Sequence, residues 1–318
     1  MKIGVFDSGY GGLTILNKIS QALPEYEYLY LGDNARTPYG TRSFDVIYEY
    51  TLQAVRYLEK QGCRLIIIAC NTASAKALRT IQQHDIDPDR LRVLGVIRPT
   101  VERVLYGCFT GSLRVPNGGS TVVQGDIKHP SHVGILATPG TVSSESYVLE
   151  LQKLNPDLVI TQQACPMWVP LIEAGEHESD GADYFVHKYL NELFAQDPEI
   201  DTIILGCTHY PLLRKKIEQV LATLQPATCN LQPATCNLSP AACNLIEQGD
   251  IVAASLKDYL ARHPEIEKDL TRHSGALPHH PESLCNCTFL TTESPEKFEG
   301  SASLFLSKPI VAQHIELA

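Results

Sequence analysis

Ile66-Ile67-Ile68-Ala69-Cys70-Asn71-Thr72 and Ile203-Ile204-Leu205-Gly206-Cys207-Thr208-His209 are two versions of one pattern: three aliphatic residues, a small residue, a cysteine and then polar residues. Continuous aliphatic runs of this length predict strands buried on both faces, as in a parallel sheet. A helical stretch follows each, Ala73 to Gln83 after the first and Pro211 to Leu221 after the second. An earlier pair of segments repeats the correspondence: Ile3-Gly4-Val5-Phe6-Asp7-Ser8 is echoed by Val133-Gly134-Ile135-Leu136-Ala137-Thr138, each preceding its cysteine strand. Core packing does not require a cysteine at the end of both strands, so the chain reads as two related half-molecules.

Outward from these segments, further strands are predicted at Tyr26 to Leu31, Arg92 to Val96 and Leu158 to Thr161, with helical stretches such as Ser43 to Gln61 between them,. Strands alternating with helices define the α/β class. The expected architecture is two pseudo-symmetric α/β domains with parallel sheets and an active site in the cleft between them. At 318 residues, 44% hydrophobic, the chain can supply a core for each,. Two irregular insertions interrupt the plan. Tyr106 to His132 carries Gly111, Pro116, Asn117, Gly118 and Gly119,. The other, over 224–244, is a tandem repeat in which Leu224-Gln225-Pro226-Ala227-Thr228-Cys229-Asn230 recurs from Leu231 and, altered, from Leu238. A proline in every unit forbids a continuous helix there.

A net charge of -10 leaves no basic face for a phosphate backbone, which argues against nucleic acid and anionic membranes as partners,. The N-terminus enters an apolar strand without a charged leader, and no apolar run reaches about 18 residues, which predicts a cytoplasmic protein. In a reducing compartment the ten cysteines are expected to be free thiols,. Cys229, Cys236 and Cys243 owe their spacing to duplication and do not match the C-x₂₋₄-C pairs of zinc sites, and no metal site is expected,.

Ligands of parallel sheets bind beyond the carboxyl ends of the strands. Asp7, Cys70, Thr138 and Cys207 all stand there. The helical stretch after each cysteine would place amides and a helix dipole where they favour a thiolate. Two thiols facing one cleft suit the removal of a proton from one face of a carbon and its return on the other, which is racemisation. His209 and Asp7 are positioned to assist the neighbouring thiols,. Gly9-Tyr10-Gly11-Gly12 lacks the lysine of a P-loop and reads as a tight turn offering amides to a carboxylate,. Neutral donors and acceptors come from Asn71, Thr72, Thr138, Thr141 and Thr208, and Pro38-Tyr39-Gly40 adds a turn with an aromatic handle,. A phosphatase would need an arginine six residues after its cysteine, where Lys76 and Leu213 stand instead,.

The motifs Asp7-Ser8-Gly9-Tyr10-Gly11-Gly12-Leu13, Pro38-Tyr39-Gly40, Cys70-Asn71-Thr72-Ala73-Ser74, Ala164-Cys165-Pro166, Pro170-Leu171-Ile172-Glu173 and Gly206-Cys207-Thr208-His209-Tyr210-Pro211 together resemble glutamate racemase over nearly the whole chain. The resemblance implies an enzyme that uses neither pyridoxal nor metal, interconverts L- and D-glutamate and supplies D-glutamate for bacterial peptidoglycan; it leaves room for a homodimer. Carried over by motif, Cys70 and Cys207 are the acid/base thiols and Asp7 and His209 assist them, with Asp33 and Glu173 as further supports. Asp7, Ser8, Tyr39, Gly40, Asn71, Thr72, Thr138, Thr141, Thr208 and His209 would hold the substrate. The family pattern also implies that the chain leaves the first domain near 98 and returns near 247, giving 1–97 plus 248–318 and 98–247. Glu247-Gln248-Gly249 and Arg98 depart from that pattern at the two crossings. Racemisation of aspartate or another acidic amino acid, or an inactive amino-acid-binding protein on the same scaffold, are the alternatives.

Overall fold

A computed structural model describes residues 1–106, 130–224, 243–270, 284 and 286–317. Most of the two insertions, including Cys108, Cys229 and Cys236, and also Cys285, lies outside the described residues. The first half runs β1 (Ile3–Asp7), α1 (Gly12–Ala22), β2 (Tyr28–Gly32), α2 (Phe44–Lys60), β3 (Leu65–Ile68), α3 (Asn71–Lys76), α4 (Leu78–His84), β4 (Arg92–Gly95) and α5 (Ile97–Tyr106). The second runs β5 (His132–Ala137), α6 (Pro139–Ser143), α7 (Ser146–Leu154), β6 (Val159–Ala164), α8 (Trp168–Glu173), α9 (Asp180–Gln196), β7 (Thr202–Gly206), α10 (Arg214–Leu224) and β8 (Asn244–Ile246). A closing segment adds α11 (Gly249–Arg262), α12 (Pro264–Glu267), β9 (Cys287–Thr291), α13 (Pro295–Leu306) and β10 (Ala312–His314).

The strands form two parallel sheets, in the orders β10-β9-β2-β1-β3-β4 and β6-β5-β7-β8. Stripped of β9 and β10, the two orders are the same, and β3 in the first sheet stands where β7 stands in the second. The internal echo in the sequence is thus a repeat of topology: a central strand (β1, β5) flanked by the strand that ends in a cysteine. Helices cover both faces, which is why β1, β2, β3 and β7 are buried at every position,.

Each half ends by sending a helix onto the other. From α5, Ile97, Val101, Val104 and Leu105 pack with Val133, Ile135 and Tyr147 of the second half. From α11, Val252, Ala253, Leu256 and Leu260 join Ile15, Leu16 and Ile19 of α1. Arg98 pairs with Glu102 on its own helix and with Glu150 on α7, at 2.7 and 3.0 Å.

Several expectations are corrected. The predicted helix 73–83 is two helices, broken at Ala77, whose φ of -115° lies off the helical value. No residue from Ser74 to Leu78 is a helix breaker, so packing and not propensity sets the bend. Both insertions are shorter than predicted at their ends. Tyr106 belongs to α5 and His132 opens β5, while Leu224 ends α10 and Asn244 opens β8. Strands β8, β9 and β10 are absent from the sequence-based assignment. Among the described residues no helix is long and apolar enough to cross a membrane.

Candidate active site

Cys70 and Cys207, both buried, follow the carboxyl ends of the equivalent strands β3 and β7 and line one cavity of about 70 Å³. Of the predicted residues, Ser8, Tyr39, Gly40, Asn71, Thr72, Thr138, Thr208 and His209 line it as well. Asp7 and Thr141 stand behind this lining. Among the described residues no lysine or arginine reaches the cavity. Its polar side chains are thiols, hydroxyls, the Asn71 amide and the His209 imidazole.

Cys70 caps α3, its Sγ accepting from the Ala73 amide at 3.4 Å and lying 3.2 Å from Ser8 Oγ. The capping contact was expected to favour a thiolate. Burial overrides it: desolvation, with Asp7's charge added, pushes the Cys70 thiol up to about 12 despite Ser8 and the amide,. Cys70 is therefore a thiol at neutral pH, and once ionised it is a correspondingly strong base. Asp7 is itself held above the ordinary carboxylate range, chiefly by burial, which outweighs the attraction of His209 and the Gly12 and Gly9 amides. The Gly9-Tyr10-Gly11-Gly12 turn does offer amides to a carboxylate, but that carboxylate is Asp7 itself, whose Oδ2 accepts from Gly9 at 3.0 Å. Among the described residues no group hydrogen-bonds Asp7 Oδ1.

On the opposite wall, His209 Nδ1 lies 3.8 Å from Cys207 Sγ, and its Nε2 lies 3.0 Å from Glu173 Oε1. Burial disfavours a charged imidazole, yet the bonds to Cys207 and Glu173 prevail and raise His209 to about 10,. The imidazolium thus stands directly beside the Cys207 sulfur. The edge of the His209 ring meets Phe305 at 5.5 Å between centroids. Gly11 makes the arrangement possible, since a Cβ there would collide with Thr208 Oγ1 and His209 Nδ1,.

The floor is knit across the two halves. Thr72 Oγ1 bonds Thr138 Oγ1 at 2.9 Å and Thr141 Oγ1 at 3.3 Å, and the Gly140 amide donates to the Gly40 carbonyl at 2.7 Å. A Cβ on Gly40 would lie 2.9 Å from Thr138 Cβ, so this close approach needs glycine. Asp33, fully buried, binds Arg36 Nε and accepts from Tyr39 OH, fixing Tyr39 against the cavity without reaching it. Cys165, Pro166 and Val169 also line the cavity and were not foreseen as site residues. Cys165 directly follows β6, so the strand-end rule that singled out Cys70 would have found it. Burial raises its thiol well above the ordinary range, with Cys207 adding to the effect.

No protein-family model matches the chain. A glutamate racemase of Paracoccus denitrificans is 35% identical over 310 residues, 98% of each chain, and one of Dinoroseobacter shibae is 36% identical over 316 residues, 99% of each. The structure of a Francisella tularensis glutamate racemase in complex with D-glutamate aligns with TM-score 0.75 at 28% identity, covering 99% of this chain and 97% of that one. A Thermus thermophilus glutamate racemase in complex with β-chloro-D-alanine aligns with TM-score 0.72 at 27% identity, with the same coverage. These relatives make the chain an isomerase. Within that class it belongs to the glutamate racemases.

Proposed function

We propose that the protein interconverts L- and D-glutamate by moving the α-proton between Cys70 and Cys207, with no cofactor or metal. The observation that carries this reading is the placement of two buried thiols at equivalent strand ends of two repeated halves, lining one cavity. The thiolate of one cysteine takes the proton from Cα, and the thiol of the other returns a proton to the opposite face, so sulfur protonation is exchanged after each turnover. Burial serves the chemistry, because it raises the basicity of the ionised sulfur and strengthens every fixed dipole around the carbanion. His209, held by Glu173, balances charge at Cys207. Asp7, with its raised proton affinity, serves Cys70.

Ser8, Tyr39, Gly40, Asn71, Thr72, Thr138, Thr141 and Thr208 are proposed to hold the substrate directly or through the lining, recognising carboxylates with neutral donors. That the Francisella tularensis relative forms a complex with D-glutamate supports glutamate as that substrate. Domain limits at 1–97 plus 248–318 and 98–247 fit the exchange of α5 and α11 between the halves. We further propose a cytoplasmic enzyme that supplies D-glutamate to peptidoglycan synthesis.

The test is a chiral assay of L- and D-glutamate with purified protein, without pyridoxal phosphate and with EDTA. Racemisation of glutamate in both directions, with aspartate turned over at least about 100-fold more slowly in kcat/KM, is the expected result. Absence of turnover of either amino acid would overturn the racemase reading, and equal use of aspartate would overturn the substrate.

A further inference from the structure

Gln248 is the N-cap of α11, at the point where the chain crosses from β8 back to the first half, and it is only 3% exposed. A buried amide here has to find partners. It has four bonds. Its Oε1 accepts from Asn71 Nδ2 at 2.6 Å, and its Nε2 lies 3.1 Å from Asn71 Oδ1, 2.9 Å from Tyr147 OH and 3.0 Å from Thr100 Oγ1. Tyr147 OH in turn donates to Asn71 Oδ1 at 2.7 Å. Thr100 spends its own proton on the Val96 carbonyl at 2.7 Å, which leaves its oxygen free to accept from Gln248.

The four residues come from four places: α3 of the first half, α7 of the second, and α5 and α11 at the two crossings. Only Asn71 of the four lines the cavity, and it is the residue directly after Cys70. Both atoms of its amide are engaged from behind, and the roles are fixed because Oδ1 accepts twice while Nδ2 donates to the Gln248 carbonyl. An Asn amide nitrogen carries two hydrogens. One is consumed by Gln248, and among the described residues no group takes the other, which is left for a ligand.

We infer that Gln248 is a positioning residue for racemisation, holding the Asn71 amide so that its remaining N–H is presented to a carboxylate of the substrate in the cavity. The inference rests on the reading of the cavity as the racemase site. Because Tyr147 and Thr100 anchor the same amide, the orientation of Asn71 depends on how the two halves sit together. The interaction acts on the bound substrate away from the breaking C–H bond, so its loss affects binding more than the chemical step.

Replacing Gln248 by leucine keeps the bulk and removes every hydrogen bond of its amide. Gln248→Leu is expected to raise KM for glutamate about tenfold while kcat falls less than about threefold, and Tyr147→Phe to raise KM about threefold in the same sense. In an Asn71→Ala background, Gln248→Leu should add less than about twofold to the loss in kcat/KM, because it acts through Asn71. Unchanged KM in both single variants, or full additivity with Asn71→Ala, would overturn the inference; should Gln248→Leu not fold, Tyr147→Phe and its combination with Asn71→Ala decide in the same way. Wild-type protein is assayed alongside. A wild type that does not racemise glutamate would contradict the site reading, whereas a racemising wild type with unaffected variants contradicts the role of Gln248 alone.

Discussion

Cys70→Ala and Cys207→Ala are each expected to lower kcat for racemisation of glutamate by about 10³-fold or more, in both directions, with the fold intact. The effect is two-sided because each sulfur is the base for one enantiomer and the acid for the other. Removing Cys70 deletes a base in one direction and a proton donor in the opposite one, and neither loss can be made good by the sulfur across the cavity. Ser8 and Thr208 are nearest in kind, but a hydroxyl is a far weaker acid than a thiol. Stability should change little, because alanine leaves only a sulfur-sized gap beside a cavity that already exists, and circular dichroism melting checks this,. Retention of more than about a tenth of wild-type kcat by either variant would assign the proton transfer to another pair.

His209→Asn is expected to cost about 10²-fold in kcat. His209 is buried, charged at neutral pH and placed between Cys207 and Glu173, so its removal takes away the cation beside the Cys207 sulfur and leaves the Glu173 carboxylate without its ring partner. Racemisation has an equilibrium constant of one, so kcat/KM must fall equally in the two directions. The separate kcat values need not, and the larger loss is expected where Cys207 acts as base. A pH signature accompanies the kinetic one. Since folding raises the imidazole from its ordinary 6.5 to about 10, its contribution to stability is complete below 6.5 and fades as pH rises through about 10,. Thermal melts should show the gap between wild type and His209→Asn shrinking as pH climbs from 7 to 10. A gap that stays constant would mean His209 is neutral in the folded protein.

The parts of the fold legible in the sequence are those whose burial is self-evident. Leu65–Ile68 and Thr202–Gly206 are covered on both faces, so their composition betrays them, and the cysteine after each survives as a marker of the repeat. By contrast, β8 is three residues long and only partly buried, and β10 owes its strand conformation to pairing with β9. Cys287–Thr291 pairs with Tyr28–Gly32, far away in sequence, and only the folded sheet supplies that partner. The site shows the same division. Asp7, Cys70, Cys207 and His209 follow from the strand-end rule, because β1, β3 and β7 deliver them. The amides that hold Asp7, the burial that raises Cys70 and the engagement of Asn71 by Gln248 arise only when the halves pack together. Glu247-Gln248-Gly249 was visible as a departure from the family pattern; what the glutamine does there was not.

The central claim, two sulfurs on opposite faces of one carbon, is tested most directly by the fate of the α-hydrogen in D₂O. L-glutamate is incubated with wild-type protein and sampled before a tenth of it has reacted, and the experiment is repeated from D-glutamate. Thiols exchange with solvent, so the returning proton is a deuteron. Two-sulfur transfer predicts deuterium at Cα in every product molecule while the remaining substrate keeps its protium, in both directions. Protium carried from substrate into product, or deuterium entering residual substrate as fast as product forms, would show a single base working both faces and would contradict the account.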